Sequence, residues 1–182
     1  SYSFNVPIIS VGNLTAGGAG KTPMVEFFIN NFSGDYKIGV LSRGYKRKSK
    51  GFILASEKDD ALSIGDEPFQ YFSKFKNIKV AVDKKRKRGI TKLVNYGVNL
   101  ILLDDAFQHR KVIPKYSVLV TDYSNLYFND YLMPRGTLRE SKRGSKRADS
   151  IIITKCPSNF SDSDKNAVKK LIKLSSEQNI FF

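Results

Sequence analysis

Cysteine and histidine are almost missing from this chain, with Cys156 and His109 the single example of each. One thiol closes no intrachain disulfide, so a disulfide framework is excluded and a reducing compartment fits. Long apolar runs are also missing. The longest are strand-sized, none is long enough to span a bilayer as a helix, and none has a signal-peptide pattern. There is no internal repeat and no low-complexity tract. Acidic residues are scarce beside basic ones, 17 against 31, which leaves a formal charge of +14. Such a charge implies anionic partners: nucleotide, nucleic acid, a phosphorylated substrate or an acidic membrane surface. Charge alone does not choose among them.

What is present is an ordinary globular composition, 41% hydrophobic and 26% charged over 182 residues, enough for one α/β domain with a core. The chain is organised around residues 6–23. The apolar run Val6, Ile8, Ile9, Val11 reads as a buried strand. A Gly-rich turn follows, then Lys21-Thr22, then a helical pattern. Gly17, Gly18 and Gly20 let backbone N–H groups face phosphate oxygens, and the helix adds its positive end. Lys21 can reach the β/γ-phosphates, and the Thr22 hydroxyl can ligate Mg²⁺. The fit to G-x-x-x-x-G-K-[ST] is imperfect, because Thr15 holds the first glycine position.

Further along, the pattern predicts a helix over 22–31 and strands over 37–42 and 51–56. Residues 63–68 read as a loop entering a helix that keeps Phe69, Phe72 and Phe75 near one face. A strand is predicted over 78–82, with Asp83 as the N-cap of the next helix. That helix starts with five cations, residues 84–88, which oppose its dipole; a solvated face or an anionic partner accounts for them. Strands over 98–103, 117–121 and 150–154 and an amphipathic helix over 162–174, with Val168, Leu171 and Ile172 on its apolar face, complete the pattern. Residues 123–147 read as irregular. Alternating strands and helices predict a P-loop NTPase-like three-layer α/β fold, a mainly parallel sheet covered on both faces. The Gly-rich turn, Ser42-Arg43, Asp104-Asp105, Asp122 and Thr154-Lys155 all fall at strand carboxyl ends, where such sheets collect ligands.

Residues 100–105 are an apolar strand ending in two carboxylates, the form that holds Mg²⁺ in P-loop enzymes. His109 lies just beyond, where orienting Asp105 or touching a phosphate stays open beside simple packing. Asp66 and Glu67, at a helix start, read either as caps or as a general base for a hydroxyl acceptor. Thr154-Lys155-Cys156-Pro157 stands where P-loop GTPases read guanine, but Pro157 replaces the Asp, which favours ATP. Cys156 is expected to pack.

As a set, residues 10–23, Ser42-Arg43-Gly44-Tyr45, Gly65-Asp66-Glu67-Pro68, residues 104–109 and residues 134–140 resemble the tetraacyldisaccharide 4'-kinase family of lipid A synthesis, in order and spacing. Thr15, odd for a generic P-loop, is usual in that family. The resemblance implies transfer of the ATP γ-phosphoryl to the 4'-hydroxyl of a tetraacylated disaccharide 1-phosphate, an acylated lipid, at the cytoplasmic face of the inner membrane. It implies ATP binding by Thr15, Ala16, Gly17, Gly18, Ala19, Gly20, Lys21 and Thr22, with Arg139 near the phosphates. It implies Mg²⁺ handled by Thr22, Asp104 and Asp105, with Glu140 near the metal, and Asp66 as catalytic base beside Lys21 and Asp105. Two departures stand out: Ala106 and Lys46 occupy positions where glycine is common, and Ala106 puts a tight turn in question. Residues 1–182 are expected to be a kinase core without the family's N-terminal membrane helix and C-terminal lobe. The basic runs 43–50, 84–88 and 139–147 are expected to serve the lipid and an anionic membrane surface.

Two other classes compete. A GTPase-like switch or metallochaperone predicts a guanine reader, which is missing. A nucleic-acid-binding module rests on charge alone, and the aromatics sit mainly in helical patterns and loops, so no nucleic acid is expected.

Overall fold

In the computed structural model, residues 1–172, 174–175 and 177–182 are described. Eight strands form one sheet: β1 (Ile8–Gly12), β2 (Ile38–Ser42), β3 (Ile53–Leu54), β4 (Lys79–Val82), β5 (Leu100–Asp104), β6 (Tyr116–Asp122), β7 (Ser150–Thr154) and β8 (Asn179–Phe181). Their order is β3-β4-β2-β5-β1-β6-β7-β8, all neighbours parallel except β3 on β4. The helices are α1 (Lys21–Phe32), α2 (Ala61–Ile64), α3 (Asp66–Lys74), α4 (Arg86–Asn95) and α5 (Asp162–Ile172), with a 3₁₀ segment over Lys142–Arg147.

The central strands β1, β2 and β5 are continuous apolar runs because both faces are covered. One layer packs Val25 and Ile29 of α1 and Tyr71 of α3 against Val40, Val80 and Leu102. Another packs Ile90 and Leu93 of α4 against Leu41, Ile101 and Leu103. Val168 and Ile172 of α5 close a third cluster with Leu119 and Ile151. At roughly 1.5–3 kcal/mol per fully buried aliphatic side chain, these clusters dominate the folding free energy.

The sequence expectations need four corrections. Residues 63–64 are not loop: they end a helical turn, α2, that Asp60 caps by accepting the Ser63 amide at 2.7 Å. Asp83 is not the cap of α4, whose N-cap is Lys85; its carboxylate accepts the Lys85 amide and pairs with Arg88. On α5, Leu171 faces solvent, 58% exposed, while Val168 and Ile172 are buried. On α3 the deepest aromatic is Tyr71, with Phe72 and Phe75 only partly buried beside it.

Candidate active site

The carboxyl ends of β1, β2, β5, β6 and β7 share one edge of the sheet, and the chemistry-bearing side chains gather there. After β1 the chain must turn sharply. Gly12 is required at this point, since a Cβ would meet Cβ of Phe107 at 2.6 Å and its backbone nitrogen at 2.8 Å. The Gly-rich loop is then held from three sides. Asn13, fully buried, donates to the Thr15 carbonyl at 2.8 Å and accepts from Lys21 Nζ at 3.3 Å and from Arg139. Residues 137–139 pair with the loop, the Ala16 amide donating to the Thr137 carbonyl and the Arg139 amide to the Leu14 carbonyl, both 2.7 Å. From β7, the Thr154 hydroxyl donates to the Ala19 carbonyl and Lys155 Nζ to the Gly18 carbonyl, each at 2.9 Å. With these carbonyls tied outward, the Gly18, Gly20, Lys21 and Thr22 amides donate to no carbonyl or side chain among the described residues. Unpaired amides at a helix start are the donors that anions take.

Asp105 sits opposite Lys21, in a left-handed backbone conformation (φ 46). Its carboxylate takes both Arg139 terminal nitrogens, at 3.1 and 2.9 Å, and lies 3.5 Å from Lys21 Nζ. Burial would raise its pKa, but the Arg139 bonds and the Lys21 charge outweigh that and hold it below the usual carboxylate range. The positive φ falls on Asp105 and not on Ala106, so alanine at 106 costs the turn nothing. Lys46 is different: its φ is 60, which explains a glycine preference there.

Asp104 is fully buried, and neither carboxylate oxygen has a hydrogen-bond partner among the described residues. Burial, then the neighbouring Glu67 and Asp105 charges, push its pKa up to about 7. The Tyr71 hydroxyl is likewise buried with no hydrogen bond among the described residues and lies near Thr22 and Asp104; burial raises its pKa. Two orphaned carboxylate oxygens beside a helix-start hydroxyl are a costly arrangement unless a cation or proton completes it. Two carboxylates and a hydroxyl, Asp104, Asp105 and Thr22, are a donor set that suits a cation keeping water and phosphate ligands.

Ala16, Gly17, Lys21, Asp66, Glu67, Asp105 and Arg139 line one open cavity of about 500 Å³. Asp66 opens α3 after Gly65 and is exposed to the cavity. Glu67 is the more buried of the two carboxylates. Burial raises its pKa, with Lys21 opposing and Asp105 and Asp66 reinforcing. Glu140 is not brought to this cavity. Its carboxylate is taken up by Arg147 at 2.9 and 2.8 Å, Arg110 at 3.0 Å and Gln108 at 3.2 Å. His109 makes no bond to Asp105, which Arg139 and Lys21 orient instead. It lines an adjoining basic cavity with Arg43, Lys84 and Arg86, and its pKa is lowered by burial, then by Arg86, Lys111 and Arg43.

Asn13 is the residue that sequence reasoning passed over. A polar residue straight after a buried strand is its only local signal. The basic runs also read differently in three dimensions. Arg86 is buried, donating to the Asp104 and Asp83 carbonyls at 2.9 and 3.3 Å. Arg47 bonds to the Gly51 carbonyl, and Arg88, Arg139 and Arg147 are ion-paired, so much of the basic run is structural. Cys156 packs beside the third apolar cluster, as expected.

A parallel sheet with a glycine-rich loop leading into a lysine-headed helix, faced by a carboxylate at the next strand's end, defines a P-loop nucleotide-binding protein. The chain belongs to the tetraacyldisaccharide-1-P 4'-kinase family (LpxK), whose model matches residues 1–180. It is 50% identical over 184 residues to a tetraacyldisaccharide 4'-kinase of Flavobacterium johnsoniae, covering 100% of this chain and 54% of that protein. It is 49% identical to the protein of that name in Bacteroides fragilis, covering 100% and 49%. The chain thus spans about half the length of the curated relatives it matches. The fold also matches the crystal structure of LpxK from Aquifex aeolicus in complex with ATP, with a TM-score of 0.77 and 26% identity, covering 100% of this chain and 72% of that one. A signal recognition particle 54 kDa protein from Aeropyrum pernix, at TM-score 0.52 and 14% identity, shares the fold alone.

Proposed function

We propose that this chain carries the nucleotide site and catalytic core of a lipid kinase, moving the ATP γ-phosphoryl group to the 4'-hydroxyl of a tetraacyldisaccharide 1-phosphate at the cytoplasmic face of the inner membrane. The carrying observation is the convergence of Lys21, Asp66, Asp105 and Arg139 on one cavity over the Gly-rich loop, in a chain of this family. Residues 15–22 would cradle the phosphates, with the free amides of Gly18, Gly20, Lys21 and Thr22 as donors and Lys21 and Arg139 as mobile charge. Thr22, Asp104 and Asp105 fit Mg²⁺, which when bound would neutralise charge developing on the transferred group. Lys21 now rests on Asp105 and Asn13, so phosphate oxygens would exchange for those partners.

Asp66, exposed at the cavity wall at the start of α3, would accept the hydroxyl proton. The transition state of phosphoryl transfer is loose, so the base mainly positions the hydroxyl and takes its proton late. Removing a general base costs on the order of 10²–10⁴-fold in rate. Asp66→Asn in the whole protein should therefore lower kcat by that order while ATP affinity stays near wild type. An unchanged kcat would leave Asp66 as a helix-start charge only, and lost ATP affinity with preserved kcat would move it to the nucleotide site.

A further inference from the structure

The segment 130–138 is a compact outward loop beside the cleft. Its tip, Tyr131-Leu132-Met133, exposes three consecutive large apolar side chains, at 53%, 51% and 60%. Yet most of its amides are bonded from within, the Leu132 amide excepted among the described residues. The Met133 amide donates to the Leu138 carbonyl and the Leu138 amide to the Tyr131 carbonyl, both at 3.0 Å, and the Arg135 and Gly136 amides donate to the Leu132 carbonyl at 3.0 and 3.2 Å. Asp130, the one acid of the loop, is consumed by the Tyr131 amide at 2.6 Å and the Thr137 amide at 3.1 Å. Gly136 makes this closure possible, since a Cβ there would collide with Asp130 Oδ1 and the Tyr131 carbonyl oxygen. Leu138, 1% exposed, roots the loop in the core.

Cations surround the tip. Arg135 stacks over the Tyr131 ring at 4.3 Å and Lys142 approaches it at 5.5 Å. Arg135, Lys142 and Arg143 also flank a shallow groove of about 510 Å³ under Tyr131 and Leu132. None of the three is ion-paired among the described residues. We propose that Tyr131, Leu132 and Met133 form a wedge that enters the interfacial zone of an anionic bilayer, with Arg135, Lys142 and Arg143 on the headgroups. An apolar tip ringed by cations, with most of its backbone amides bonded, suits the interfacial zone, where the remaining polar groups meet water and headgroups. Three side chains are too few for a stable protein interface, which needs on the order of 1,000 Å². The wedge is bonded to the phosphate loop through the Thr137 carbonyl and the Arg139 amide, and Met133 itself lines the cleft. Docking would thus set the cleft mouth at the lipid surface. This surface goes beyond the phosphoryl-transfer reading and is tested without ATP or acceptor.

The chain contains no tryptophan, so Leu132→Trp supplies a unique fluorophore. With phosphatidylethanolamine–phosphatidylglycerol vesicles, its emission should shift to the blue and be quenched by acyl chains brominated at shallow positions. Both changes should fade as salt rises or phosphatidylcholine replaces phosphatidylglycerol. An indole introduced instead by Tyr36→Trp, at the amino end of β2 and away from the site edge, should not respond. Leu132→Glu should weaken vesicle partitioning about tenfold or more at an unchanged melting temperature. The proposal fails if vesicles bind the Leu132→Trp protein while its indole stays solvent-like, or if Leu132→Glu binds vesicles as wild type does. Shielding of that indole that follows protein concentration without vesicles would assign the wedge to a second copy of this chain instead.

Discussion

At the scale of single residues, two side chains carry separable stability effects. Lys46 holds a left-handed conformation, φ 60, which costs a non-glycine residue roughly 1–2 kcal/mol. Glycine there would remove that strain but return about 0.5–1 kcal/mol in chain entropy. Lys46→Gly should therefore raise stability by up to about 1.5 kcal/mol in urea melts, the difference of those two effects. Asp83 is the second case, its side chain 1% exposed, with Arg88 donating at 2.7 and 2.9 Å and the Lys85 amide at 2.9 Å. Burial pulls its pKa up, but those bonds prevail and it lies below the ordinary 3.8. A carboxyl with a depressed folded-state pKa stabilises above its unfolded pKa, and that stability is lost as pH falls through the folded value. Asp83→Asn should then melt lower than wild type at neutral pH, and the gap should close in acid below about 3.8. A constant gap across that range would show that packing alone was lost.

At the scale of elements, β7 does more than complete the sheet. Its last residue and the next one, Thr154 and Lys155, reach back to the carbonyls of Ala19 and Gly18, and Lys155 is steadied by Asp122 at 2.5 Å from the end of β6. Lys155→Met should raise the KM for ATP several-fold with kcat and melting temperature little changed, and Lys155→Arg should recover part of the loss. An unmoved KM would make the contact incidental. The elements themselves were largely legible. β1, β2, β5 and β7 are short apolar runs that permit no other buried form, and α1 follows a glycine turn that only a helix start explains. The misreadings share a cause, because a local polar residue does not announce its partner. Asp83 looks like a cap until Arg88, five residues on, folds back to it. Nor does Glu140 announce Arg110 and Arg147, which close on it from either side in sequence. Asn13 looks ordinary because its partners Arg139 and Gln108 come from far along the chain.

At the scale of the whole molecule, the parallel sheet brings five strand ends to one edge, so dispersed motifs become one cavity without any long-range pattern in the sequence. The surplus of positive charge is divided. Arg86, Arg88, Arg139 and Arg147 are held in internal bonds, Lys142 is exposed but donates to the Phe128 carbonyl, and Lys84, Lys85 and Arg143 remain outside. The bonds that tie the glycine loop to residues 137–139 and 154–155 have one more consequence, which concerns time. The loop leaves the ribosome well before its fixed partners, since Lys155 follows Gly18 by 137 residues. Contacts of such sequence separation form late, because loop closure must precede them. During synthesis the growing chain should therefore gain nucleotide affinity in a late step rather than gradually. Arrested nascent chains that end before Thr137 should retain no ATP analogue, and those that expose Lys155 should.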